Sequence, residues 1–508
     1  MPLDEASRAK IEPYVSSLSD DVFALMGLPE EVIAVLFAYY SRSRDDLRTN
    51  LAKLLADEEL GVTAGGGGVP AVRLASEKAR AFHEKWVVGY GHSSVAEHAV
   101  IHLAVENVSI IASKAIEDLR LGSYTEKSTR YVVFDQQSFV DLPELNDELA
   151  ARYQASGRRL FSTYLDLVPK VMEKLQSRSP RPEGVSEGAH NAAIRSQACD
   201  LLRGLLPAGT RTNLGLTANA RALEILLSKM LSSPLAEVRR IAGKMHEAAL
   251  HVTPTLVKYA RESEHRKTLG SRVSEAVRTV YSPPSEGANA TMVIHQPVRI
   301  VRHDKDALER IALALAYEGA DASVHAYGLS DALRHATPSE IEAIVKASVE
   351  SRGPYDPAPR AFEAAGMTVE LMLDYGAYRD LQRHRMLTPA VQRLTCRLGF
   401  ETPGELADMG FIEPYMEAML AARDTWQAIE NDHPLEAQYA VPLGFRVRVL
   451  WTLNMRELFH VAELRSAKQG HTSYRRIAQG LYRIACSVHP WLKGMIRVDL
   501  NDYPLARG

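Results

Sequence analysis

Cysteine is scarce: three residues in 508, Cys199, Cys396 and Cys486. They are far apart, odd in number and never in a C-x-x-C pair, so neither a disulfide framework nor a cysteine-based zinc site is suggested, and they read as small apolar core residues. An excess of one charge is also missing, since 60 Lys and Arg face 63 Asp and Glu for a net charge of −3. Bulk nucleic-acid or membrane binding is therefore not expected, and an anionic ligand has to be met by a local cluster. No run approaches the roughly 20 apolar residues of a membrane span. The opening MPLDEASRAKIEPYV carries acidic residues and no apolar core of the signal-peptide kind, which gives the expectation of a cytoplasmic protein.

What is present is a chain too long for one core, since single cores stop growing at about 250–300 residues, and it repeats itself. TANARAL (217–223) recurs as TLNMREL (452–458), RRIA (239–242) recurs at 475–478, and the proline of LHVTP (250–254) recurs in SVHP (487–490). The offsets are 235, 236 and 236 residues; shared order and spacing indicate an ancient tandem duplication. AVLFAYYSRS (34–43) faintly echoes ALALAYEGAD (312–321) with a different offset. YSPPSEGANA (281–290) is rich in Pro, Ser and Gly and reads as the linker, giving a first repeat at 1–280 and a second at 291–508. AGGGGVP (64–70) lacks a following Gly-Lys-Ser/Thr and reads as a mobile connection rather than a phosphate loop; SRSPRPEG (177–184) is a second loop.

Apolar steps of three and four residues predict helices over 104–120 and 369–385, and β-branched runs in 291–304 predict strands. Strands with long helices between them, without strict alternation, imply an α+β fold, mainly helical.

Three stretches carry candidate chemistry. In YGHSSVAEHAV (90–100), His92 and His98 are six apart rather than four, which argues against a helical zinc pair; Ser93 or Ser94 reads as a helix cap with Glu97 in the first turn. DLRLGSYTEKSTRY (118–131) looks like the continuation of a motif whose opening Arg-His survives only downstream, as Arg383-His384-Arg385.

Together these stretches resemble the flavin-dependent thymidylate synthases, whose hallmark is R-H-R-x-x-S-x-N-E-x-S-x-R-Y. Without a gap, Arg120, Ser123, Glu126, Ser128, Arg130 and Tyr131 match, Thr125 replaces Asn, and Asp118-Leu119 replaces Arg-His. Arg203, four residues before Pro207, matches the family's nucleotide-binding arginine; Asn219 and Arg221 match its T-V-N-A-R segment, after which its later arginine falls near Lys229 or Met230. The second repeat keeps Arg383, His384 and Arg385 but has no glutamate after them. Its LWTLNMRELFHVAELR (450–465) matches at Trp451, Asn454, Arg456 and Arg465, with His460 for the family's Asn and Gln438 for the arginine before proline. The losses are complementary.

The resemblance implies two tandem thymidylate synthase-like repeats with a small sheet in each, and methylation of dUMP to dTMP using FAD, NADPH and methylenetetrahydrofolate. It implies nucleotide contacts from Glu126, Ser128, Arg130, Arg203 and Arg465, of which Ser128 and Arg465 would also serve catalysis. Flavin contacts would come from His92, Arg383, His384, Arg385, Asn454, Arg456 and His460. A homodimer would then imitate the family's tetramer. No metal is expected. Two other readings stay open: a flavin enzyme alkylating another pyrimidine nucleotide, and a non-catalytic nucleotide- or RNA-binding descendant.

Overall fold

Each repeat is built around one recurring device, an interior strand that ends in asparagine and turns straight into a helix. The asparagine side chain caps that helix by accepting the backbone N–H three residues on, Asn219 from Ala222 at 2.8 Å and Asn454 from Glu457 at 2.8 Å. Such caps satisfy one of the orphan donors of a helix start, which explains why N-x-R-x-L recurs in both repeats.

The computed structural model describes residues 4–41, 43–56, 93–281 and 296–503. In chain order the first repeat contributes α1 (Glu5–Ile11), α2 (Glu30–Tyr40), α3 (Leu47–Ala56), β1 (Val100–Ser109), α4 (Ile110–Ile116), β2 (Gly122–Glu126) and the long α5 (Asp147–Arg178). These are followed by α6 (Glu187–Leu202), β3 (Arg211–Asn219), α7 (Ala220–Leu231), α8 (Ala236–Leu250) and α9 (Glu264–Arg278). The second repeat contributes β4 (Val298–His303), α10 (Ala307–Glu318), α11 (Ala326–His335), α12 (Pro338–Ala347), β5 (Gly366–Asp374), α13 (Tyr375–Leu381) and β6 (Thr388–Val391). It ends with α14 (Gly404–Asp408), α15 (Ile412–Glu430), β7 (Arg446–Asn454), α16 (Met455–Ser466) and α17 (Thr472–Val488). The α+β, mainly helical fold with a small sheet per repeat is as expected. The loop expected at 177–184 follows the end of α5, whereas 64–70, most of 281–290 and 291–295 lie outside the described residues.

Two predicted helices are instead strand-then-helix. Residues 104–120 begin inside β1, where Ile101, Leu103 and Val105 are buried and His102, Ala104 and Glu106 are exposed. That period of two belongs to a half-buried strand. Residues 369–385 begin inside β5, whose last four residues are buried on both faces, so its run of apolar residues carries no period to distinguish it from a helix. The start at Ser93–Glu97 is a short 3-10 turn rather than an α-helix.

The chain packs as two units that cut across the repeats. The first consists of residues 1–108, 112–127 and 212–282, the second of 109–111, 128–211 and 283–508. In the first unit a three-stranded sheet ordered β1-β3-β2 packs through Ile101, Leu103, Leu214 and Leu216 on Leu223, Leu227 and Met230 of α7. In the second unit a four-stranded sheet is ordered β4-β5-β7-β6, with β5 and β7 antiparallel from Gly366↔Asn454 to Asp374↔Arg446. Residues 128–211 of the first repeat are thus folded into the same unit as the second repeat.

The join between them is reciprocal. Ala208 N–H donates to the Val441 carbonyl and Leu443 N–H to the Leu206 carbonyl, each at 2.8 Å; Gly209 N–H donates to Tyr439 O at 2.8 Å and Gly444 N–H to Gly204 O at 2.9 Å. Residues 204, 206, 208 and 209 map onto 439, 441, 443 and 444 by the same 235-residue offset read from the sequence. The four bonds therefore form a local pseudo-twofold about Pro207 and Pro442, the pattern of an isologous interface, here made within one chain.

Candidate functional site

The second unit gathers charged groups from both repeats. Arg130 leaves the first-repeat motif buried, 7% exposed, and forks onto Asp200 of α6 through Nε at 2.6 Å and Nη2 at 2.7 Å, while Nη1 donates to the Tyr474 hydroxyl at 3.0 Å. Asp200 keeps the Arg130 guanidinium charged far above neutral pH, although burial opposes that charge. Arg203, at the end of α6, donates through Nη1 to Asp380 of α13 at 2.9 Å. Burial works against the Asp380 charge, but Arg203 and Arg130 draw its carboxyl down to about 2.

Arg203 Nε and Nη2 are buried and have no hydrogen-bond partner. The guanidinium packs against Gly376 of α13: a Cβ there would be 3.3 Å from Arg203 Nε and 3.1 Å from Asp374 Oδ1. Glycine inside the predicted helix is thus accounted for by a first-repeat arginine packed on it.

Arg465 of α16 also packs on Tyr474, with guanidinium carbons 5.5 Å (Arg130) and 5.6 Å (Arg465) from the tyrosine ring centre. Burial lowers the Arg465 pKa. Its Nε donates to Nε2 of His384 at 2.8 Å, and Nδ1 of His384 lies 2.9 Å from Oε1 of Glu457. His384 is 3% exposed, and burial holds its pKa below the ordinary imidazole value. Burial alone would raise the Glu457 carboxyl; hydrogen bonds from His384 and His460 instead bring it down to about 2. His471, which caps α17 by accepting from Ser473 N–H at 3.2 Å, places Nε2 3.2 Å from the Asp200 carbonyl. Burial, then Arg203, push its pKa down to about 3.

Of the residues singled out in sequence, the structure therefore brings Arg130, Arg203, His384 and Arg465 into one cluster. Arg383 is exposed and Arg385 half-buried on the turn after α13; His460 is exposed, one turn from Glu457, with its ring centre 4.9 Å from that of His384. Asn454 is committed to capping, and Arg456 to the Ala358 carbonyl at 2.9 Å and Glu363 at 2.8 Å. Ser128 accepts from Arg130 N–H at 3.2 Å. Glu126 belongs to the first unit, where it accepts from Ser113 Oγ at 2.8 Å; His92 lies outside the described residues. Sequence reasoning missed Asp200, Asp380, Glu457, His471 and Tyr474. Only Glu457 had a signal, an E-x-x-H pair after a capping asparagine where the first repeat has Ala222 and Ile225.

The first unit carries the corresponding place in an altered form. Leu119, Ala222, Ile225 and Met230 stand where the second repeat has His384, Glu457, His460 and Arg465. A cleft of about 400 Å³ there is lined by apolar residues, Leu119, Leu121, Ala222 and Ile225 among them, together with Arg120, Asn219 and two ion pairs. At its rim Arg221 pairs with Glu97 at 2.5 Å, and Lys229 pairs with Asp118.

A repeated α+β fold in which arginines from the two copies meet in one cluster defines a tandem two-copy protein. The family model "Thymidylate synthase complementing protein" matches residues 33–255 and 299–491, and the chain belongs to that family as a tandem two-copy member. It is 34% identical to a UPF0159 protein of Chlamydia muridarum (strain MoPn / Nigg) over 98% of this chain and 96% of the relative. It is 27% identical to the flavin-dependent thymidylate synthase of Clostridium tetani (strain Massachusetts / E88), over 37% of this chain and 74% of that one. A solved flavin dependent thymidylate synthase from Helicobacter pylori, complexed with FAD and dUMP, matches at 17% identity with a TM-score of 0.29, over 40% of this chain and all of that one. Among the described residues no helix is long and apolar enough to cross a membrane.

Proposed function

We propose that this chain is a flavin-dependent enzyme that methylates dUMP to dTMP, working at a single composite site in the second unit, the first unit having Leu119, Ala222 and Met230 where that site has His384, Glu457 and Arg465. The observation that carries the proposal is the meeting of Arg130 and Arg203, from the first repeat, with His384 and Arg465, from the second, around Tyr474 and Asp380.

The roles follow from which donors are already spent. Arg130 has its fork filled by Asp200 and braces Tyr474, so it holds the scaffold. Arg203 keeps two donors without partners; a guanidinium suits the dianionic phosphate of a nucleotide. Arg465 would stabilise the negative charge that builds on the uracil carbonyls as carbon 5 becomes nucleophilic. Ser128 joins the nucleotide contacts on the motif resemblance alone.

The residues present fit an anionic dinucleotide cofactor in one respect: Arg383, exposed, and Arg385, half-buried, stand on the turn that carries His384, where they would hold FAD phosphates. They do not fit a direct flavin contact from His384, whose two ring nitrogens are both taken, nor from Asn454, whose side chain is a cap. Bound FAD would supply the hydride chemistry, with NADPH as reductant and methylenetetrahydrofolate as carbon donor.

The test is cofactor analysis of the purified protein followed by tritium release from [5-³H]dUMP, in wild type and Arg465→Ala. Flavin binding with tritium release that drops in the variant supports the reading. A flavin-free protein that releases no tritium when FAD is added would refute it.

A further inference from the structure

His384, Glu457 and His460 bring a ring nitrogen or carboxylate oxygen each within 4.8 Å of one another, the outline of a metal site. The hydrogen-bond polarity argues otherwise. Arg465 has only N–H groups to offer, so the bond from its Nε makes Nε2 of His384 the acceptor. In a neutral imidazole the proton then sits on Nδ1, where it donates to Glu457 at 2.9 Å. The nitrogen that would face a cation is the one carrying hydrogen. A metal-bound imidazole also needs an acceptor for its distal N–H, and here it meets a guanidinium.

From this geometry we infer that Glu457 and His384 are positioning residues, a carboxylate–imidazole–guanidinium chain that fixes the Arg465 fork toward the nucleotide. The inference deepens the composite-site reading and rests on it for the identity of the ligand. His384 locks the Nε edge of Arg465, and Tyr474 flanks the guanidinium at 5.6 Å. Glu457 locks the ring of His384, and is itself held as the third residue of α16 by the Asn454 cap. The other charges facing the chain are His460 on α16, Asp380 on α13 and Arg383 on the turn. The first repeat lacks every member, having Ala222 for Glu457, Leu119 for His384 and Met230 for Arg465. The chain is therefore whole in the second repeat and wholly absent from the first.

Two measurements test it on the full-length protein. In ¹⁵N-histidine NMR, with His384 assigned by the resonance missing in His384→Gln, the ring is expected to carry its proton on Nδ1 at pH 8 and to take up a second proton only below the ordinary imidazole range. In calorimetric titration with dUMP, Glu457→Gln keeps a carbonyl acceptor for Nδ1 and is expected to bind within about threefold of wild type. Glu457→Ala is expected to weaken binding roughly ten- to a hundredfold, the range of a lost charged hydrogen bond. A proton on Nε2, or an ordinary imidazole titration, overturns the chain, as does added Zn²⁺ that shifts His384 and His460 together, or equal affinity in Glu457→Ala. Failure of wild type to bind dUMP at all would refute the nucleotide reading, while the NMR result still decides the chain.

Discussion

Replacing Asp200 by Asn asks whether Arg130 is scaffold or ligand. The substitution keeps shape but removes the charge that balances a guanidinium 7% exposed and held at 2.6 and 2.7 Å. Breaking a buried pair from one side leaves an uncompensated charge and costs about 3–5 kcal/mol. Replacing both partners by apolar residues, as in Arg130→Met with Asp200→Leu, removes that charge, so the double variant is expected to recover most of the loss. Trp426, Trp451 and Trp491 all lie in the second unit, so tryptophan fluorescence in urea follows mainly this unit. The expected result is a midpoint lowered in Asp200→Asn and largely restored in the double variant. A loss under about 1 kcal/mol, accompanied by tighter dUMP binding, would refute the assignment, because it would mean that Arg130 faces a ligand once Asp200 lets go.

Further outcomes follow from the same geometry. Asp380 and Glu457 have folded-state pKa values drawn down to about 2, below the roughly 4 of an unfolded carboxyl. Each therefore adds stability above that unfolded value, on the order of 2 kcal/mol, that is lost as pH falls from about 5 toward 2. Asp380→Asn should flatten the acid limb of a urea midpoint measured against pH, and an unchanged limb would contradict the pairing with Arg203. Gly209→Ala would place a Cβ 2.5 Å from Tyr153 Oη and 3.0 Å from the Tyr439 carbonyl; overpacking of this kind costs about 1–3 kcal/mol, read in the same fluorescence assay. Arg203→Lys removes the planar fork, so it is expected to weaken dUMP binding at least tenfold if the unpaired donors serve phosphate, measurable by calorimetry.

How much of this was legible beforehand depends on the kind of signal. The duplication was legible because N-x-R-x-L encodes a cap that both repeats need, and its 235-residue offset reappears in the backbone bonds between 204–209 and 439–444. The β1 and β5 strands were not, because one was read from its middle, after the alternation at Ile101, His102 and Leu103 had begun, and the other is buried on both faces at its end. Arg203, His384 and Arg465 were found through motif resemblance. Their partners Asp200, Asp380 and Tyr474 were not, since a lone acid or tyrosine on an amphipathic helix carries no local mark of a partner arriving from the other repeat. The assignment of individual motif residues to scaffold or ligand needed three dimensions, because Arg130 and Arg203 look alike in sequence and differ only in how many donors remain unspent.

The pairing about Pro207 and Pro442 has an evolutionary consequence. In a dimer of identical chains every substitution strikes twice, once on each side of the axis, so an interface residue and a pocket residue cannot specialise separately. Fusing the copies breaks that rule: Gly204 and Tyr439 now occupy equivalent places with different side chains. The same liberty lets one copy hold Leu119, Ala222 and Met230 where the other holds His384, Glu457 and Arg465. Asymmetry of this kind becomes heritable only when the two partners can no longer exchange.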